Sequence, residues 1–171
     1  MTIRFEELEK NTSAIQWCLC TRTYLEIADL VNKRVSDKTL KLRFDSPLLM
    51  LLGHGFELTL KANLRASGLS LDEISKYGHS LNKLLRAKGN QQLRDSFDQQ
   101  KAAGYKLRPS ITSPDLTSSF ALLAVLHGPP YVLRYPIVHT RPALDTKILI
   151  EVGLKLNREI EPACLKSFND V

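Results

Sequence analysis

The chain has 171 residues, of which 43% are apolar and 25% charged, and a formal net charge of +6. Such proportions suit one globular domain that buries a sizeable core, and the positive balance favours polyanionic partners. No apolar run reaches the ~18 uncharged residues of a bilayer span and the polar N-terminus lacks a signal-peptide core, so no membrane partner is expected and the cytoplasm is the default compartment.

In chain order, residues 1–12 read as a polar arm. Asn11, Thr12 or Ser13 can cap a helix over 13–34, whose Trp17, Cys20, Tyr24, Ile27, Ala28, Val31 and Val35 follow the helical period and read as core. Residues 36–46 connect, with a brief extended piece at Leu40–Phe44. Pro47 then suits the first turn of a central helix running through Leu48–Gly68. Short helices follow near 70–76 and 80–88, with Gly78 closing the first, Ser80 capping the second and His79 at their junction. Beyond Gly89 comes an exposed helix with an apolar edge of Leu93 and Phe97, and then a surface loop over Tyr105–Thr112. Ser113 as N-cap, Pro114 and Asp115 open a helix reading SFALLAVLH that stops at Gly128-Pro129-Pro130. YVLRYPIV at 131–138 has a strand alternative. The last helix spans 143–167, with Leu144, Ile148, Val152, Leu156 and Ile160 at four-residue steps and a bend expected at Pro162.

These elements define an all-α fold, an antiparallel helical bundle with extra helices and a short β element as the alternative near 131–138. It is expected to be one domain over 1–171: arm 1–12, core 13–88, elaboration 89–112 and C-terminal helices 113–168. Three cysteines, Cys18, Cys20 and Cys164, are an odd count without metal-ligand spacing, so reduced thiols are expected, with no zinc and no other metal. Neither a Gly-rich phosphate loop, a Gly-x-Ser-x-Gly elbow nor a His-Glu-x-x-His helix occurs, and no cofactor is expected.

The central helix carries the chemistry. His54, Glu57, Lys61 and Arg65 recur at steps of three and four, one polar stripe along an apolar rod. Glu57 precedes Lys61 by four residues, the favourable order for a helical ion pair. Gly53 and Gly55 lack side chains and would let another backbone come close. His54, Glu57, Lys61 and the nearby His79 are the candidate ligand-binding residues. The alternative is a purely structural ion-pair network.

The pattern FELTLKANL (56–64), a Gly-containing turn and YGHSLNKLL (77–85) resembles HEPN domains, a family of helical bundles. Glu57, Leu60, Lys61, His79 and Leu81 carry the match over about forty residues; Ser80 departs from the Asp common after that His. The resemblance extends to LRYPIVHTR, where His139 follows Arg134 after four intervening residues, as in HEPN ribonucleases. There it implies a metal-independent endoribonuclease that leaves a 2′,3′-cyclic phosphate, with the site shared across a homodimer. A His can move the 2′-hydroxyl or leaving-group proton, and an Arg fork can hold the scissile phosphate. Tyr135 stands where the family commonly has Asn, and Pro136 and Pro142 disfavour helical backbone through this stretch.

Two functions follow from the resemblance. One is a ribonuclease of toxin type with Arg134 and His139 as catalytic residues. The other is a non-catalytic module whose polar seam holds a nucleotide, an RNA or a partner such as a nucleotidyltransferase or an antitoxin.

Overall fold

The structure, a computed structural model, describes residues 12–42, 45–102, 114–131, 133 and 144–169. Among them are seven α-helices and no strand: α1 (Ala14–Ser36), α2 (Ser46–Ala66), α3 (Leu71–Ser75), α4 (Leu81–Arg86), α5 (Gln91–Ala102), α6 (Leu116–His127) and α7 (Thr146–Asn169). A 3₁₀ turn at Lys88–Asn90 joins α4 to α5. The all-α bundle expected from the sequence is what forms.

Local signals start the helices where side chains satisfy free backbone N–H groups. Ser13 and Gln16 form a capping box on α1, Ser70 and Glu73 do the same on α3, and the Ser80 hydroxyl accepts from Lys83 N–H on α4. On α6 the cap is Asp115, which accepts from Ser118 N–H at 2.7 Å, so this helix starts later than a Ser113 cap would set it. Asp145 receives Ile148 N–H in the same way at the head of α7, and its own N–H donates to Ser119 on α6.

Helices α1, α2 and α7 build the core, and α3, α4, α6 and the 3₁₀ turn pack against α2. Their directions follow from their contacts. Cys18, Leu25 and Asn32, ascending α1, meet Asn157, Gly153 and Thr146, descending α7, so these two helices are antiparallel. Along α2, Phe56 meets Gly153 and Ala62 meets Cys164, so α2 runs parallel to α7 and opposite to α1. Leu25 is fully buried between Gly55 and Gly153; a methyl on either glycine would come 2.6 or 3.0 Å from Leu25 Cδ2. A buried Leu or Phe contributes about 1.5–3 kcal/mol, and one contiguous cluster runs from Ala14 to Cys164.

The buried face of α1 differs from the expected one. Ala14, Ile15, Cys18, Thr21, Leu25 and Ala28 face inward, whereas Cys20, Ile27 and Val35 are exposed and Trp17, Tyr24 and Val31 are half-buried. The helix carries two apolar stripes, and the small residues Ala14, Cys18, Thr21 and Ala28 win the core because they admit close packing beside α2 and α7. On α7 the expected Ile148, Val152, Leu156 and Ile160 are all buried; Leu144 precedes the helix, and Pro162 lies inside it. All three cysteines are free, with Cys18 and Cys164 buried and Cys20 exposed. Of the 131–138 segment, Tyr131 lies in a turn and Leu133 in a 3₁₀ turn. Its other residues, Arg43, Phe44, the 105–112 loop and the arm through Asn11 lie outside the described residues.

Candidate functional site: a histidine cleft over a buried glutamate

Three of the chain's four histidines meet at one carboxylate. Glu57 projects from the middle of α2 and is only 4% exposed. Its Oε1 accepts from Lys61 Nζ at 2.7 Å, one helical turn on. Its Oε2 accepts from His127 Nε2–H at 2.7 Å, and His79 Nδ1 lies 3.0 Å from each oxygen. An ionised carboxylate only accepts hydrogen bonds, so these contacts place the protons on His127 Nε2 and His79 Nδ1. Burial alone would push the Glu57 pKa up. Donation from His127, the charge and hydrogen bond of Lys61 and the bond from His79 outweigh it and hold the value at about 2.

Each partner arrives by a local device. Lys61 and His54 share the α2 face with Glu57 through the helical period. His79 sits between Gly78, at φ 57°, and the Ser80 cap, a left-handed turn that costs glycine little. His127 is the last residue of α6, where Gly128 follows. Its ring lies flat against Gly53, where a methyl would come 2.3 Å from Nδ1. Gly53 and Gly55 therefore admit side chains, the His127 ring and Leu25, where the sequence reading expected another backbone.

Above this cluster opens a small cleft lined by Met50, His54, His79, His127, Tyr131 and Leu133. The half-buried His54 stacks near Tyr24 and meets the His127 ring edge-on, with centroids 5.7 and 5.1 Å away. Tyr131 stands edge-on to His79 at 5.4 Å and has a left-handed backbone, φ 59°. The His79 side chain is 39% exposed, and with Nδ1 turned to Glu57 its Nε2 lies on the far side of the ring from the carboxylate. His54, Glu57 and His127 also place one potential ligand atom each within 4.8 Å of one another.

All four expected ligand-binding residues, His54, Glu57, Lys61 and His79, thus converge, while Arg65 turns away and donates to Leu69 O at 3.0 Å. The expected catalytic pair, Arg134 and His139, lies outside the described residues. His127, Tyr131 and Gly53 were missed as site residues. The one local signal was a His closing an otherwise apolar helix, and nothing in its neighbours ties it to a residue seventy positions earlier.

The fold and site define an all-α bundle holding a histidine–carboxylate cleft. No protein-family model, curated protein or solved structure matches the chain. The HEPN resemblance therefore rests on the sequence motif alone.

Proposed function

We propose that this chain is a HEPN-like, nucleic-acid-associated module that binds a nucleotide or a stretch of RNA in the cleft above Glu57. The observation that carries this reading is the convergence of His54, His79 and His127 on one buried carboxylate. Lys61 neutralises Glu57, so the cleft does not repel an anion despite its acidic floor. His79, oriented through Nδ1, turns its other nitrogen away from Glu57, and the rings of His79 and Tyr131 offer faces and edges for a base. The net charge of +6 supplies long-range attraction for a polyanion. Association with a nucleotidyltransferase or an antitoxin, and assembly as a homodimer, belong to the same reading.

The test is fluorescence anisotropy with labelled single-stranded RNA, and calorimetry with nucleotides, on the full chain and His79→Ala. His79→Ala is expected to bind about tenfold more weakly, or about 1.4 kcal/mol, with unchanged circular dichroism. Absence of binding to RNA and to nucleotides at millimolar concentration would refute the reading.

The spacing of Arg134 and His139 favours a second reading, the metal-independent endoribonuclease. RNA incubated with the protein in EDTA should then yield cyclic-phosphate ends, and a His139→Ala variant of unchanged fold should not.

A further inference from the structure

We propose that His54, Glu57 and His127 form a binding site for a divalent transition-metal ion of the zinc, cobalt or nickel type at the floor of the cleft. One ligand atom from each residue lies within 4.8 Å of the other two. Two imidazoles and a carboxylate suit these ions, whereas calcium and magnesium take oxygen ligands. The donors stand on α2 and on the end of α6, so helix packing sets their spacing.

Two ligands each about 2.1 Å from a tetrahedral zinc lie roughly 3.4 Å apart. His127 Nε2 and Glu57 Oε2, at 2.7 Å, share a proton now and need to part by under an ångström to share an ion. That ion takes the Nε2 lone pair once the ring's proton has moved from Nε2 to Nδ1, so His127 binds as a neutral imidazole. His54, half-buried at the cleft wall, closes the third side. Around these ligands stands a set of supports of the kind metal sites use. Lys61 holds the other carboxylate oxygen at 2.7 Å, His79 bridges both oxygens, and Gly53 seats the His127 ring. Three protein ligands below an open cleft leave room for water or a phosphate oxygen, the arrangement of working zinc sites and not of closed structural ones. The site is independent of the nucleotide reading, and its test uses metal alone.

The full chain, stripped with EDTA and desalted, is titrated with Co²⁺ by visible absorption and with Zn²⁺ in competition against a chelator. One ion per chain is expected, with ligand-field bands and no thiolate charge-transfer band. Excess Zn²⁺ should raise the melting midpoint of the wild type. His54→Ala, half-buried at the cleft edge and checked for fold by circular dichroism, should bind about a hundredfold more weakly and lose that thermal shift. His127→Ala should do the same; since His127 is buried and its variant is the more exposed to unfolding, His54→Ala decides. Cys20→Ser, which removes the exposed thiol, should bind as the wild type does. No binding at millimolar Co²⁺ and Zn²⁺, a thiolate band, or wild-type affinity in a folded His54→Ala would each overturn the assignment.

Discussion

Glu57 is a charged side chain placed where charge is expensive, and it stays ionised because three cationic or N–H donors reach it. Its folded pKa of about 2 lies below its ordinary value of 4.5. A depressed carboxylate contributes stability that is fully present above the unfolded pKa and is lost as pH falls through the folded one. For the metal-free chain this contribution amounts to roughly 3 kcal/mol, lost between about pH 4.5 and pH 2. Urea unfolding at pH 7, 4 and 3 should show a shallower acid slope in Glu57→Gln than in the wild type; equal slopes would mean that Glu57 is not held by these donors. Gly53 makes a second residue-level case. Gly53→Ala drives a methyl into the His127 imidazole, and urea unfolding is expected to report a loss of about 1–3 kcal/mol together with weaker ligand binding. A neutral Gly53→Ala would place the His127 ring elsewhere.

Among the elements, the crossing of α1, α2 and α7 depends on one leucine between two glycines. Leu25→Ala removes its filling, and a loss of about 2–5 kcal/mol is expected by thermal or urea unfolding. A second tie joins the elaboration to the centre. Asn90, fully buried in the 3₁₀ turn, donates to Leu60 O on α2 at 3.1 Å and to Leu84 O on α4 at 2.8 Å, and accepts from Asn63 at 2.8 Å. Asn90→Leu removes three buried hydrogen bonds while Leu84 O keeps the Ala87 N–H and the Asn63 amide keeps Gly89 O, so a loss of about 0.5–1.5 kcal/mol per lost bond is expected from the same unfolding curves. These bonds hold α4 beside α2, and α4 begins just after His79. The tie that looks structural therefore also positions one wall of the cleft.

At the scale of the whole molecule, one apolar cluster among the described residues spans α1 to α7, and α5 is tied in through Ser96 and Glu159 at 2.9 Å. Helices that share one core are expected to unfold together. Far-UV circular dichroism and the fluorescence of Trp17, the one tryptophan, should give coincident urea transitions; separate midpoints would reveal a second independent unit. The cleft draws on α2, the α3–α4 junction and the end of α6, so its assembly and global folding are expected to be lost together.

The sequence by itself determined the helices, because their signals are local. Caps at Ser13, Ser70 and Ser80, the Gly78 turn and the Gly-Pro-Pro stop after α6 act within a few residues of where they stand. It also determined most of the cleft floor, since His54, Glu57 and Lys61 share a helix face by periodicity and Gly78 and Ser80 mark the junction that carries His79. Only the tertiary structure decided which stripe of α1 faces inward, because two apolar stripes compete and close packing chooses between them. Tertiary packing alone also brought His127 to Glu57 across seventy residues. The space left by a glycine side chain at position 53 and the carboxylate's demand for donors made that contact, and neither acts until α2 and α6 lie side by side.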